Sequence, residues 1–294
     1  MNADDLRALA ARVSNAGRWG ADDQRGTLNL VTDAVRLAAL TEVRDGSVHS
    51  IAREIVVDGG DAAALRLLPG DDIDRTLRDE LVIAPHGFAM THADAVGHCW
   101  FDGVMYNDRP AGSTITDRGL EANGLGAQQD GVVTRGVLLD VARARGVEAL
   151  APGEAVHPAD LDAAVRLAGT EVRPGDAVFV RVGTGTAADP VTGPDGRIVR
   201  AGLAADCLSW LRGHDVAVYS GDCVDVFPSP VAEYPDYFHQ IALGRIGLAF
   251  LDGPDVELLA ELCRARRRAT FLLMYAPLRV PRATGSAVNP VVMF

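Results

Sequence analysis

Short apolar runs alternate with amphipathic helical segments through the second half of the chain, and this alternation constrains the fold most strongly. The pattern predicts strands over residues 137–141, 177–182, 216–219 and 270–275, and helices over 158–167, 203–211 and 256–267. Strands that alternate with helices in this way are typical of an α/β domain with a largely parallel sheet. No Gly-x-Gly-x-x-Gly turn is present, so the sequence does not indicate a typical dinucleotide-binding domain.

The first half of the chain is less regular. Its patterns predict short helices over residues 5–14 and 33–42, a strand over 48–57, an excursion or lid over the Gly- and Asp-rich residues 58–80, and a short buried strand over 81–84. With 294 residues, of which 48 % are hydrophobic, the chain can bury a large core. These numbers predict one large domain or two that pack intimately.

All 28 basic residues are arginine, because the sequence contains no lysine. This excludes enzymes that need a lysine Schiff base, P-loop NTPases and protein kinases. The net charge of −12 argues against a nucleic-acid partner, which would require a basic surface. The one basic run, over residues 264–268, is expected to complement the end of the preceding helix. A small-molecule substrate is therefore the expected partner.

No stretch approaches the length of a membrane-spanning helix, and the first residues lack the basic start and apolar segment of a signal peptide. The four cysteines are scattered without a Cys-x-x-Cys pair, which is typical of reduced thiols rather than of a disulfide framework. We therefore expect a cytoplasmic protein with no membrane partner.

Three of the seven histidines fall between His86 and His98, and this cluster is the strongest sign of chemistry in the sequence. His92 and Asp94 are two residues apart, which places both side chains on one face of an extended segment. An imidazole and a carboxylate that converge there suit Zn²⁺ or Mn²⁺. His98 is a candidate for a further ligand or an acid–base group, and Trp100 for a pocket wall. Hydrogen-bonded loop histidines are the alternative, against which the clustering argues.

A metal site needs three or more protein ligands, so distant partners are expected. His239 precedes the apolar run 246–251 and Asp252 ends it, so that a strand or turn could return both residues to the cluster. His239 is equally compatible with a core histidine, and Asp252 alone is more typical of a helix cap. The sequence contains no Gly-x-Ser-x-Gly elbow, which argues against a serine hydrolase. Cys99 is better explained as a small buried side chain than as a nucleophile or soft metal ligand.

The segment Thr91–His98 (THADAVGH), followed by Phe101–Asn107 (FDGVMYN), resembles the signature region of the cyclase-like metal hydrolases. That superfamily includes bacterial kynurenine formamidase and isatin hydrolase. Further similar segments follow the family's order along the chain: RWG at 18–20, RGVLLD at 135–140 and GSAVNP at 285–290. The resemblance implies a single domain over residues 1–294 with a swivelling β/β/α fold. It also implies a helical arm over about 1–45, packed on the core or on a partner subunit, and a homodimer or higher homo-oligomer.

The resemblance further implies a Zn²⁺ or Mn²⁺ site on a His-x-x-x-His-x-Asp core. His92 and Asp94 match the second histidine and the aspartate of that core. The first ligand position falls on Phe88, which cannot bind a metal, and His86 could replace it through a local bulge.

Two downstream histidines also match the family pattern: His98 matches an acid–base or second-metal histidine, and His239 matches a later ligand. Asp252 takes the place of the family's later glutamate and is a shorter carboxylate. These departures leave open a single metal held by His92, Asp94 and a third ligand, or no metal at all.

These features together predict a hydrolase that opens a small cyclic or acylated amide or lactone through a metal-bound water. His98 would accept the water's proton and pass it to the leaving group, while Phe88 and Trp100 would line an apolar pocket. One alternative is a repurposed member that catalyses a cyclisation, dehydration or other non-hydrolytic step by acid–base chemistry of His98, Asp94 and His86. A third interpretation is an inactive binding protein, which Phe88 at a ligand position favours.

Overall fold

The computed structural model describes residues 1–57, 62–68, 77–185, 191–193 and 196–294. Within these ranges the α-helices are α1 (Ala3–Val13), α2 (Asp33–Leu40), α3 (Ala111–Thr114), α4 (Val141–Ala144), α5 (Pro158–Ala168), α6 (Asp206–Gly213), α7 (Tyr237–Ile241) and α8 (Val256–Arg266). Shorter 3-10 segments cover Gly26–Leu30, Tyr106–Asp108 and Leu125–Gln128, and a π-helical turn covers Ala242–Ile246.

The strands of the described residues are β1 (Val48–Ser50), β2 (Ala63–Leu68), β3 (Arg78–Ile83), β4 (His92–Asp94), β5 (Val104–Met105), β6 (Arg109–Pro110), β7 (Ile115–Thr116), β8 (Gly119–Leu120), β9 (Val132–Asp140), β10 (Ala155–Val156), β11 (Ala177–Arg181), β12 (Val191–Thr192), β13 (Ile198–Val199), β14 (Gly202–Leu203), β15 (Val218–Gly221), β16 (Ala249–Asp252), β17 (Thr270–Tyr275), β18 (Gly285–Ala287) and β19 (Val291–Met293).

Nine of these strands form the central sheet, in the order β1-β19-β17-β9-β11-β15-β16-β4-β18. The four middle strands β9, β11, β15 and β16 run parallel, whereas the strands on either side pair antiparallel with their neighbours. The parallel strands therefore end at the same edge of the sheet, where α/β proteins build their sites. The predicted α/β fold is confirmed.

Alternate residues of the parallel strands feed two apolar clusters, one on each face of the sheet, because successive side chains of a strand point in opposite directions. Val137 and Val178 belong to the cluster beneath α1, α5, α6 and α7, while Leu138 and Phe179 belong to the cluster beneath α8. Leu6 of α1 is fully buried in the first cluster, so this part of the N-terminal segment packs on the chain's own core.

Several predicted boundaries agree closely with the structure. Residues 270–275 form β17, and residues 158–167 form α5 with one additional residue. The helix predicted over 203–211 begins only at Asp206, because the backbone of Leu203 pairs with β10 as part of β14. The strand predicted over 48–57 is shorter, since the ladder with β19 ends at Ser50.

The prediction of a buried strand over 81–84 is wrong. Residues 81–83 end β3, which pairs with β2 as a hairpin, and Leu81 and Val82 are 51 % and 61 % exposed. A short apolar run cannot by itself distinguish a core strand from a hairpin that stands away from the core. Residues 58–61 and 69–76 of the predicted excursion lie outside the described residues.

Candidate metal centre

His92 and Asp94 are the first and last residues of β4, and the strand aims both side chains into one buried space. Both residues are at most 2 % exposed. β4 lies between β16 and β18, so that Asp252 stands opposite His92 and Gly285 stands opposite Asp94. The two side chains therefore share one face of a strand of the central sheet, as expected for a His-x-Asp spacing in an extended segment.

His86 reaches the same space through a local turn. The sequence suggests it as the replacement for the metal ligand that is missing at Phe88. Gly87 has a φ of +101°, a conformation that side-chain-bearing residues rarely adopt, and it redirects the backbone after His86. Gly285 leaves room for the ring, because a Cβ there would lie 2.5 Å from His86 Cε1. His86 Nδ1 consequently lies 3.0 Å from Asp94 Oδ1.

The polar atoms that face each other in this cluster lack ordinary partners. The contact between His86 Nδ1 and Asp94 Oδ1 does not have the direction of a hydrogen bond, and both buried atoms are otherwise unpaired among the described residues. His92 Nδ1 lies 3.1 Å from the Met90 carbonyl, to which it can donate, and this leaves Nε2 with a free lone pair 3.6 Å from Asp94 Oδ1. Unpaired nitrogen and carboxylate atoms that converge in this way fit a divalent cation.

A second group of ligand atoms shares Asp94 with the first. Asp94, His239 and Asp252 bring one ligand atom each within 4.8 Å of one another, as do His86, His92 and Asp94. β16 ends at Asp252, and α7 carries His239, so the structure returns both residues to the cluster. Asp252 is not a helix cap, because Asp255 caps α8 by accepting from the backbone of Leu258. Oδ1 of Asp252 is buried and has no hydrogen-bond partner within the described ranges.

His239 is held between two carboxylates. Its Nδ1 lies 2.6 Å from Asp225 Oδ2 and its Nε2 lies 3.1 Å from Asp252 Oδ2. Burial alone would lower the pKa of His239, but the hydrogen bonds to the two carboxylates outweigh burial and raise this pKa well above its usual range. Burial conversely opposes ionisation of Asp94, yet His86, His92 and His98 hold its pKa below the ordinary value.

His98 lies against the first group without belonging to it. Its ring stacks on that of His86 with 3.8 Å between centroids and 5° between planes. Burial lowers the pKa of His98 to about 4, so the imidazole is neutral at pH 7. A neutral imidazole beside a cation site can accept a proton.

A cavity of about 220 Å³ is lined by His92, Asp94, His239 and Asp252 of the two groups, and also by Phe88 and His98. Phe88 is among the residues that line the cavity, and 45 % of its surface is exposed. Trp100, which was predicted to line the same pocket, is not among the described residues that do so. Cys99 faces the cavity and the next side chain, that of Trp100, is 42 % exposed outside it. Burial raises the pKa of Cys99 to about 12, which leaves it a thiol rather than a nucleophilic thiolate.

Among the cavity residues that were missed in the sequence are Arg53, Arg200, Asp222 and Asp225. The two aspartates follow β15, and a carboxylate just after a parallel strand is a signal that could have indicated them. Burial raises the pKa of Asp222 to about 6 although it accepts a hydrogen bond from the Val182 backbone. The two arginines carry no comparable signal, because each stands in an irregular segment far from the histidine cluster.

None of the described helices is long and apolar enough to cross a membrane.

The fold and this cluster define an α/β protein with a candidate divalent-metal centre beside the carboxyl edge of its parallel strands. The chain belongs to the cyclase family: the family model described as "Putative cyclase" matches residues 35–226. Among curated proteins, none matches the sequence significantly.

Solved structures share the fold over nearly the whole chain. A structure described as a novel cyclase has 25 % sequence identity and a TM-score of 0.82, and the match covers 96 % of this chain and 100 % of that one. Isatin hydrolase A from Labrenzia aggregata, bound to benzyl benzoate, has 15 % identity and a TM-score of 0.60 over 89 % of this chain and 98 % of its own. A potential metal-dependent hydrolase with cyclase activity has 11 % identity and a TM-score of 0.50 over 84 % and 98 %. The predicted cyclase-like fold is confirmed.

Proposed function

We propose that the chain is a metal-dependent hydrolase that opens a small cyclic or acylated amide or lactone. The observation that carries this proposal is the convergence of ligand atoms from His86, His92 and Asp94 beside a cavity that His92 and Asp94 line. His86 Nδ1 and Asp94 Oδ1 are buried there without a hydrogen-bond partner among the described residues. The cavity volume of about 220 Å³ is below the roughly 300–1,000 Å³ of sites for drug-sized ligands, which favours a small substrate. Fold relatives described as hydrolases support the same reaction class.

His86, His92 and Asp94 would hold Zn²⁺ or Mn²⁺, with Asp252 and His239 as partners on the far side of Asp94. A divalent ion, when bound, lowers the pKa of a coordinated water toward neutrality and polarises a carbonyl oxygen. The Met90 carbonyl orients His92, and Asp225 orients His239, as carbonyls and carboxylates commonly do behind histidine ligands.

His98 would act as the proton carrier of the reaction. It is neutral at pH 7, it lines the cavity, and its stacking on His86 fixes the plane of its ring. In this position His98 would take the proton from the attacking water and return it to the leaving nitrogen or oxygen. Phe88 would contact an apolar part of the substrate, whereas Trp100 has no place in this proposal.

The first experiment is elemental analysis of the purified protein, combined with a turnover screen. We expect near-stoichiometric Zn or Mn in the wild type and its loss in His92→Ala. A matched control is His157→Ala, because His157 lies outside the cavity at the start of α5. The screen uses an N-formyl amide, isatin, a simple lactone and a cyclic imide, each with and without Mn²⁺. Full activity of His92→Ala in a chelator would contradict the proposal.

One observation favours a second candidate function. Both ring nitrogens of His239 already contact carboxylates, an arrangement that also suits acid–base catalysis without a metal. A cyclisation or dehydration by His98, Asp94 and His86 would then replace hydrolysis. A metal-free protein that stays active supports this candidate, and a metal-free protein with no turnover on any substrate supports a binding protein. The homo-oligomer and the cytoplasmic location remain predictions.

A further inference from the structure

Arg200 brings a positive charge to the cavity without a carboxylate to receive it. Its guanidinium lies over the ring of Phe88, with 4.0 Å between Cζ and the ring centroid. One terminal nitrogen of Arg200 is buried and has no hydrogen-bond partner among the described residues. Stacking on an aromatic ring fixes the plane of a guanidinium but leaves its N–H groups free to donate.

Arg53 meets the same phenylalanine from the backbone side. One terminal nitrogen donates to the Phe88 carbonyl over 2.5 Å, and the Arg53 backbone N–H donates to Thr91 Oγ1 over 2.9 Å. The Nε of Arg53 is buried, and none of the described residues pairs with it. Burial lowers the pKa of Arg53, the charges of Asp255 and Asp222 raise it, and the positive charge of Arg200 lowers it. The two cations therefore repel each other in the folded chain.

The described carboxylates near these cations do not neutralise them by direct pairing. Asp225 and Asp252 contact His239, and Asp94 faces the other histidines. Asp222 accepts from the Val182 backbone, and its second carboxylate oxygen is itself unpaired. A partly buried cation without a partner lowers stability, and two that repel each other lower it further.

We propose that Arg53 and Arg200 together bind a carboxylate that the substrate carries apart from the bond to be cleaved. The inference rests on the proposed function and names its substrate class: small amides or lactones that bear a carboxylate. Arg200, oriented by Phe88, would donate to the carboxylate in the forked geometry that guanidinium groups favour, and Arg53 would add a second positive charge. His92 and Asp94, two of the proposed metal ligands, line the same cavity. The bond to be cleaved would lie beside them.

Binding of benzoate and benzamide tests the anion site without requiring turnover. Isothermal titration calorimetry is performed on the full chain in EDTA, so that no metal can accept the carboxylate. We expect benzoate to bind more tightly than benzamide, and Arg200→Met and Arg53→Met each to weaken benzoate about 10- to 100-fold, as for loss of hydrogen bonds to a charged group. Arg12→Met, which alters an exposed arginine of α1, should bind benzoate as the wild type does.

A matched pair of substrates separates binding of the carboxylate from stabilisation of the transition state. With 4-formamidobenzoate, Arg200→Met should raise KM at least about tenfold more than it does with formanilide, which lacks the carboxylate, while kcat changes little. Arg200→Lys should recover part of the loss because it keeps the positive charge. The recovery should be incomplete because lysine lacks the two parallel donors of a guanidinium.

The outcomes distinguish this inference from the proposed function. Benzoate binding that depends on the arginines, without turnover of any amide or lactone, keeps the anion site and contradicts the hydrolase. Turnover that falls equally for both formamides in Arg200→Met overturns the anion site and keeps the hydrolase. Benzoate that binds the wild type no better than benzamide also overturns the anion site.

Discussion

Partly or fully buried arginines occur in this protein in two settings, and the difference between them separates structure from function. Arg135 on β9 is 5 % exposed and fully engaged: Nε and one terminal nitrogen donate to the two oxygens of Asp176 over 2.9 and 2.6 Å. The same terminal nitrogen also donates to the Glu171 carbonyl. Arg200, at the cavity, stacks on Phe88 and has a buried nitrogen that no described residue pairs with.

The contrast extends to the carboxylates. Asp176 is satisfied by Arg135. Asp222, Asp94 and Asp252 at the cavity, in contrast, each keep a buried oxygen that has no hydrogen-bond partner in the part of the chain that the structure describes. Proteins pair nearly all of their buried polar groups, so a cluster of exceptions on one cavity indicates atoms that a ligand or an ion completes. Stability and binding are therefore expected to respond in opposite ways in the two settings.

The largest effect is expected where the pairing is complete. Arg135→Met leaves the buried Asp176 carboxylate without its cation, and the free energy of unfolding should fall by about 3–5 kcal/mol. Denaturation in urea measures this change, with Arg12→Met as the control. A loss below about 1 kcal/mol would mean that the ion pair of Arg135 with Asp176 does not stabilise the fold.

The next effect concerns the carboxylate with the raised pKa. A pKa of about 6 for Asp222 means that the folded chain binds this proton more tightly than the unfolded chain, whose ordinary value is near 3.9. Ionisation therefore removes stability as the pH rises from about 4 to 6, by up to about 3 kcal/mol. Asp222→Asn cannot ionise and should gain stability relative to the wild type over that interval. Unfolding free energies of both proteins at pH 4 and pH 7 measure the difference, and equal pH profiles would contradict the assignment.

A smaller effect is expected at the glycine that accommodates His86. Gly285→Ala puts a methyl group 2.5 Å from the present position of His86 Cε1 and must displace the ring. Displacement of a ligand should weaken Mn²⁺ or Zn²⁺ binding about 10- to 100-fold, the range found when the surroundings of metal ligands are altered. Titration with a competing chelator measures it. Gly213→Ala, where no atom lies within 4 Å of the added Cβ, is the control and should bind metal normally.

The smallest effect on stability is expected at the incomplete setting. Arg200→Met loses its contact with the Phe88 ring, worth about 0.5–1 kcal/mol, but also removes an unpaired charge. The two changes oppose each other, so the free energy of unfolding should stay within about 1 kcal/mol of the wild type. A loss of 3 kcal/mol or more would place Arg200 with Arg135 as a structural residue.

The sequence allowed prediction of what depends on local periodicity. The strand over 270–275 and the shared face of His92 and Asp94 follow from patterns within a few residues. The participation of His86 depends on Gly285, which lies on another strand, and no local pattern shows that clearance. Leu81 and its neighbours have the composition of a core strand, and only the tertiary structure shows that their hairpin stands in solvent. The cavity arginines are likewise visible only once the chain has folded.

The order of strands in the central sheet requires it to curl. β19 is second from one edge and β18 forms the other edge, so seven strand spacings of about 4.8 Å, roughly 34 Å, separate them along the sheet. Only residues 288–290 join the two strands, and four Cα steps of about 3.8 Å reach roughly 15 Å at most.

Because this connection is so short, the two edges of the sheet must lie close to each other. Arg53 follows β1 at the first edge, while Thr91 precedes β4 near the second, and their hydrogen bond joins the edges across the gap. The curl of the sheet thus places Arg53, from one edge, at a cavity built on the other edge. An insertion within residues 288–290 would let Arg53 move away from the cavity, while the ladder of β4 with β16 would stay in place.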